Sequence, residues 1–234
     1  MTSVGLVGGL GPPSTIDYYR RILDEYAKVD ATASPSIVID SLDVQRGLRL
    51  VANDHAALTE YLMESLERLT RAGVDFIAIT ANTAHIVFDA LAKRSQVPLI
   101  SIVEACADEA ERVGVKRPLL LGTRFTMEAP FYPNVFARRG MQIVAPNAEE
   151  RLKIHERYVG ELLKGDFRDE TRAEIIAIVE RLRREERVDS VILGGTELPL
   201  LLETDRVAGL PTLDTTALHV AAIVRRLTSP PVRR

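Results

Sequence analysis

The chain reads as an α/β protein made of two similar parallel-sheet half-domains related by a pseudo-twofold. Short β-branched runs alternate with amphipathic stretches along its whole length, the order that builds parallel sheets with helices on both faces. The strand sequence also recurs: Val74-Asp75-Phe76-Ile77-Ala78-Ile79 matches Val188-Asp189-Ser190-Val191-Ile192-Leu193, a shift of about 114 positions. At the same shift Val4-Gly5-Leu6-Val7-Gly8-Gly9 falls on Pro118-Leu119-Leu120-Leu121-Gly122-Thr123, and one residue short of it Val97 to Ser101 falls on Leu210 to Asp214. Such self-similarity is the mark of a duplicated unit. Under this register Ala81 coincides with Gly195, each just past the C-terminal end of a buried strand, where open α/β sheets place their ligands.

Each element follows from local pattern. Val4 to Val7 predicts a buried strand, and Ser14-x-x-Asp17 a capping box ahead of a helix whose apolar face is Ile16, Tyr19, Ile22, Leu23 and Tyr26. Ser36 to Asp40 is the second strand, and Asn53 to Ala72 a helix closed by Gly73. Phe76 to Ile79 is a third strand leading to a helix from Asn82 or Thr83, and Leu99 to Ile102 a fourth. The second half repeats this from Pro118, with helices near Met127 to Arg139, Glu149 to Leu163 and Arg168 to Glu186, and strands near Ile143, Val191 and Leu213. The expected half-domains are 1–97 with 210–234, and 98–209. The tail Ser229-Pro230-Pro231-Val232-Arg233-Arg234 is expected to fray.

Composition narrows the function classes. With 234 residues, 46% hydrophobic and 27% charged, the chain can bury a core of enzyme size. A net charge of −3 supplies neither the basic stripe of a nucleic-acid binder nor a polybasic membrane patch. No leader pattern or spanning apolar run is present, so a cytoplasmic location and no membrane partner are expected. One cysteine forms no internal disulfide, and four scattered histidines have no metal-ligand spacing, so no metal is expected.

Four loops at strand ends carry the candidate chemistry: Gly8-Gly9-Leu10-Gly11-Pro12, Thr80-Ala81-Asn82-Thr83-Ala84-His85, Gly122-Thr123-Arg124-Phe125-Thr126 and Gly194-Gly195-Thr196-Glu197-Leu198. Each joins a strand to a helix, so N–H groups and small hydroxyls at helix N-termini suit a small anion such as a carboxylate. Gly-Gly-x-Gly lacks dinucleotide spacing and no Walker lysine follows, which argues against a nucleotide.

At these loops the chain resembles the aspartate/glutamate racemase family, whose cofactor-independent members invert amino acids with two cysteines. The resemblance is carried by Gly8-Gly9-Leu10-Gly11-Pro12, Ser14-Thr15-Ile16-Asp17-Tyr18-Tyr19, Asn82-Thr83-Ala84-His85, Leu121 to Met127, and Leu193-Gly194-Gly195-Thr196-Glu197-Leu198. It implies a two-domain fold, no cofactor, a small carboxylate or amino acid as partner in a crevice between the halves, and a homodimer. It also implies that Asn82, Thr83, Thr123, Thr126 and Thr196 hold an α-carboxylate, with Gly9 and Leu10 beside it and Arg46 on a side-chain carboxylate. In that family one cysteine precedes Asn-Thr-Ala-His and the other precedes Thr-Glu. Here those places hold Ala81 and Gly195, which do no proton chemistry.

Racemisation needs a base and an acid on opposite faces of the α-carbon. His85 and Glu197 are the titratable side chains near the two vacant places, and each has a plainer use, as a hydrogen-bonding residue or as a helix-start acid. Three readings remain: a diverged enzyme on an isomerase scaffold with lyase or decarboxylase-like chemistry, a non-catalytic amino-acid or dicarboxylate binder, or a racemase whose cysteines were removed by design. Cys106 lies on a helix face with Ile102 and Ala110 and is read as a small core hydrophobe. Asp43 and Glu128 are read as helix-start acids.

Overall fold

A computed structural model describes residues 2–202 and 205–229; Pro230 to Arg234 of the tail lie outside them. In chain order the elements are β1 (Ser3–Gly8), α1 (Pro12–Val29), β2 (Ser36–Ser41), α2 (Val44–Asn53), α3 (His55–Arg71), β3 (Phe76–Ile79), a 3-10 segment (Thr83–Val87), α4 (Phe88–Arg94) and β4 (Leu99–Ile100). There follow α5 (Ile102–Arg112), β5 (Pro118–Leu121), α6 (Arg124–Glu128), α7 (Phe131–Ala137), α8 (Ala148–Gly160), a 3-10 turn (Leu162–Lys164), α9 (Asp169–Glu185), β6 (Ser190–Leu193), α10 (Leu198–Leu202), β7 (Arg206–Val207), β8 (Leu210–Asp214) and α11 (Thr215–Thr228).

The chain divides into two compact units, Met1–Ile102 with Thr216–Arg234, and Val103–Thr215. The first holds a parallel sheet in the order β2-β1-β3-β4. The second holds β5-β6-β8-β7, parallel except where β7 runs antiparallel to β8. The repeat is visible in these orders, since β1, β3 and β4 correspond to β5, β6 and β8. The unit boundary falls after Ile102 and again after Thr215, where the sequence suggested 98 and 210. The reason is pairing: Leu99 and Ile100 bond alongside Ile77 and Ala78 in the first sheet, while Leu210–Asp214 lies in the second.

Strands β3, β5 and β6 are buried at every position, as expected of parallel strands covered on both faces. In the first unit Val4, Leu6, Phe76 and Ala78 pack with Tyr18, Ile22 and Val220 to Leu227 of the flanking helices. In the second, Leu119, Leu121, Val191 and Leu193 pack with Ile154, Tyr158, Ile175 and Val179. Each large side chain so enclosed stabilises by roughly 1.5–3 kcal/mol relative to exposure.

Several boundaries differ from the sequence expectation. Helix α1 begins at Pro12, with Gly11 as N-cap and no side-chain cap; the Ser14 hydroxyl instead donates to the Gly11 carbonyl at 2.9 Å. Two prolines already start this helix, because their missing N–H groups cost nothing in its first turn. Its buried face is Ser14, Tyr18, Ile22 and Tyr26, whereas Ile16 and Tyr19 are exposed. The helix expected over Asn53 to Ala72 is α3, whose N-cap Asp54 accepts the Ala57 N–H; sequence reading missed α2, which ends at that same Asp54. The segment expected as one helix over Met127 to Arg139 breaks at Pro130 into α6 and α7. Near Ile143 there is only a single bridge, between Leu119 and Val144.

Glycine decides how closely the strand ends approach. A Cβ on Gly122 would lie 2.5 Å from the Gly194 carbonyl oxygen, and one on Gly194 2.6 Å from the Leu121 oxygen. Gly122→Ala is therefore expected to lower the unfolding free energy by about 1–3 kcal/mol in a urea titration. Gly160→Ala, where a Cβ meets nothing within 4 Å, is the control and should not destabilise.

Candidate functional site

Ala81 and Gly195 occupy matching places, each two residues beyond its strand, β3 and β6 respectively. Each unit presents its own set of loop residues, and the two sets are built differently.

In the first unit the β1 turn is wound tightly on itself. Gly9 takes φ +78° and would drive a Cβ to 2.3 Å from the Leu42 carbonyl oxygen, so only glycine suits it. Its N–H donates to Thr15 Oγ1 at 2.9 Å, which occupies a donor otherwise free for an anion. Leu10 lies over Gly47, its Cδ2 3.0 Å from where a Cβ would stand. Arg46, in the first turn of α2, is exposed and stacks on the Tyr61 ring at 4.3 Å. Tyr61 in turn receives the Asp43 N–H at 2.8 Å, so the ring that carries the guanidinium is anchored at the helix start. Asp43 is the N-cap of α2, accepting from the Gln45 N–H at 2.8 Å.

Beyond β3, the Thr80 hydroxyl donates to the Val7 carbonyl at 3.0 Å, and the Asn82 carbonyl accepts from the His85 N–H at 2.9 Å. Asn82 is buried and Thr83 half-buried. His85 is buried with both ring nitrogens bonded to backbone: Nδ1–H donates to the Ala81 carbonyl at 2.9 Å, and Nε2 accepts the Ile102 N–H at 3.2 Å. These partners fix one tautomer of a neutral ring, assigned from its neighbours. Burial pushes its pKa down to about 4, against the opposing pull of the Ala81 and Asn82 backbone. Its role here is to hold the loop that carries Ala81, and neither nitrogen is left for proton transfer.

His219 of α11 completes this arrangement. Tyr18 Oη donates to its Nδ1 at 3.0 Å, and its Nε2–H donates to the Ile100 carbonyl at 3.0 Å. The two imidazoles thus hold the backbone on either side of Ser101, tying α1, α11 and the β3 loop to the end of β4. Sequence reading did not pair His219 with Tyr18, which stand 201 positions apart with no local pattern to join them.

In the second unit Thr123 is the N-cap of α6: its Oγ1 accepts the Thr126 N–H at 3.3 Å and lies 3.2 Å from Thr126 Oγ1. Thr126 is fully buried. Thr196 Oγ1 donates to the Glu197 carboxylate at 3.1 Å, and Tyr158 Oη donates to the same oxygen, Oε2. The Glu197 N–H donates back to Tyr158 Oη at 3.3 Å. Burial first, and the Glu197 charge second, raise the phenol well above its ordinary value and keep it protonated. Tyr158 went unnoticed in the sequence because it lies 39 positions from Glu197 in what reads as an ordinary amphipathic helix.

Glu128 ends α6 and pairs with Arg151 at 3.3 Å and Arg124 at 3.9 Å. Cys106 is fully buried in α5, its thiol pushed up by burial and, less, by the Asp214 charge, so it is inert. Among the described residues no three His, Cys, Asp or Glu side chains gather as a metal ligand set, and no helix is long and apolar enough to cross a membrane.

The family model for Asp/Glu/Hydantoin racemase matches residues 7–223, nearly the whole chain and all four loops. The chain belongs to this family. It is 31% identical to an aspartate racemase homologue from Pyrococcus horikoshii OT3, covering 98% of this chain and 100% of that one with a TM-score of 0.80. It resembles the fold of the Picrophilus torridus aspartate racemase, with a TM-score of 0.81 over 97% of this chain and 94% of that one at 21% identity. A match to the broad specificity amino-acid racemase RacX of Bacillus subtilis (strain 168) reaches 26% identity over 149 residues, 60% of this chain and 63% of the relative's length. Like its relatives, this racemase-family chain has the two-unit α/β fold expected from its repeat.

The buried histidines give a signed pH dependence. Their folded pKa values, about 4 for His85 and about 3 for His219, lie below the unfolded value near 6.5. The unfolded chain therefore binds more protons, and the stability these residues add above pH ~6.5 is lost as pH falls toward 4. Each should contribute a slope of up to about 1.4 kcal/mol per pH unit across that window. Urea midpoints measured from pH 7 to pH 4.5 should fall, and His219→Gln should flatten the curve; an unchanged slope would contradict the neutral buried assignment.

Proposed function

We propose that this chain uses its racemase-family scaffold to bind a small carboxylate or amino acid through the strand-end loops of its two units, and that inversion by a pair of thiols is not its reaction. The observation that carries this is the pair Ala81 and Gly195 at the places that precede Asn-Thr-Ala-His and Thr-Glu, where the family resemblance puts the cysteines. A methyl group and a hydrogen neither take nor give a proton at an α-carbon. Of the two candidate replacements, His85 is bonded to backbone through both nitrogens, and Glu197 Oε2 accepts from both Tyr158 and Thr196. Thr83 is half-buried and Arg46 exposed, with no carboxylate partner for Arg46 among the described residues, so these two are the side chains best placed for an incoming anion. The names of relatives, aspartate racemase homologue and broad specificity amino-acid racemase, suggest an amino acid or dicarboxylate of that size.

The chemistry that remains open to such a site is one in which the substrate supplies its own reactivity, with the loops holding its charge, or recognition alone. The engagement of His85 and Glu197 with internal partners favours recognition. We further propose a cytoplasmic homodimer that needs no metal or pyridoxal phosphate; a monomer by sedimentation, or a pyridoxal absorbance band in the purified protein, contradicts those parts.

Calorimetric titration with aspartate, glutamate, malate and citrate, paired with deuterium wash-in followed by NMR, tests the reading. At least one carboxylate should bind while α-proton exchange in aspartate and glutamate stays at the level of the protein-free blank. Thr83→Ala should weaken binding by about 1–2 kcal/mol, or roughly 5- to 30-fold. Rapid deuterium incorporation by the unaltered chain would sink the reading.

A further inference from the structure

The place of the second cysteine is filled in this chain. A Cβ built on Gly195 would stand 2.5 Å from Tyr158 Cε2, 2.5 Å from its Oη and 2.8 Å from its Cζ. Carbon atoms in contact prefer about 3.5–4.0 Å, so no side chain fits at 195 while the ring stays. The ring is well held. Tyr158 is buried on the inner face of α8, packed in the same core as Ile154, Leu193 and Leu198. Its hydroxyl donates to the Glu197 carboxylate and accepts the Glu197 N–H. Swinging the ring aside would open a cavity in this core and take a donor from a carboxylate that is only 1% exposed, both of which cost stability.

We propose that Tyr158 is the specificity-determining residue of this site: its ring closes the second acid–base position, and Gly195 is glycine in order to admit it. The inference rests on the reading above that Gly195 stands at the family's second cysteine position. It changes what the missing thiol means. A racemase trimmed by a single Cys→Gly replacement would leave a hole at 195, whereas here the two residues form a matched pair, 37 positions apart by 195 − 158, that share one volume. The α-carbon of a bound amino acid would then meet, on that side, a neutral phenol whose O–H already donates to the Glu197 carboxylate, in place of a base.

The test is a double-mutant cycle on the full chain without ligand, using Gly195→Cys, Tyr158→Leu and their combination, read by urea unfolding. Leucine keeps apolar bulk near the backbone but lacks the atoms that reach position 195. Gly195→Cys should shift the unfolding equilibrium at least tenfold more in the native background than beside Tyr158→Leu, about 1.4 kcal/mol of coupling. Should Gly195→Cys not fold, Gly195→Ala takes its place in the same cycle. Tyr158→Phe keeps Cε2 and Cζ, so it should not relieve the penalty, which separates ring volume from the lost hydroxyl. Iodoacetamide gives a second readout: a cysteine at 195 should alkylate in the folded protein beside Tyr158→Leu, while buried Cys106 stays unreacted as the internal reference. Additive effects of the two substitutions overturn the proposal, as does aspartate racemisation by the Ala81→Cys, Gly195→Cys protein with Tyr158 intact. Because the cycle needs no ligand, a failure to bind carboxylates would strike the functional reading and leave this result standing.

Discussion

Parallel strands buried on both faces impose one constraint from which the rest follows. The strands β1, β3, β5 and β6 are joined by parallel ladders and are almost wholly buried, so their backbone and side chains are largely taken up within the fold. Chemistry is pushed to the turns that leave the strands. Those turns must also let adjacent backbones come close, and the chain meets this with glycine at the tightest points: Gly9 against Leu42, and Gly122 against Gly194. The glycines that look like a ligand motif in the sequence are explained first by backbone approach, and the Gly9 N–H is taken by Thr15.

The two units solve the same local problem with different buried polar groups. The first uses imidazoles: His85 and His219 hold the backbone flanking Ser101, and Tyr18 fixes the outer ring. Being neutral, these rings avoid the large cost of a buried charge, at the expense of stability in acid. The second uses an acid and a phenol, with Glu197 accepting from Tyr158 and Thr196. In both, polar side chains close in sequence to positions 81 and 195 hydrogen-bond within the fold.

Ring and glycine at 158 and 195 also show how a duplicated fold can diverge at equivalent turns while the strands leading to them keep their form. β3 and β6 keep the same length and burial, and each ends two residues before the key position. Ala81 keeps a small side chain, whereas Gly195 gives its space to a residue from α8. Symmetry of the backbone therefore does not carry over to the groups presented at its equivalent points.

By itself the sequence determined the class of fold, the repeat, the four strand-end loops and the absence of a thiol at 81 and 195, because period, turn chemistry and residue identity are local. It also placed Cys106 in the core, where the structure buries it. Helix ends were legible only where a cap or proline set them; the face of α1 was assigned to Ile16 and Tyr19 because apolar spacing does not reveal that Ser14, Thr15 and Asp17 turn inward to their own partners. Tertiary structure alone decided that His85 has no free nitrogen, that Thr123 is a helix cap, and that Tyr158 stands in the volume beside Gly195. Each of these depends on a contact between residues far apart in the chain or on the direction of one hydrogen bond, and no periodicity in the sequence encodes which distant partner fills a given space.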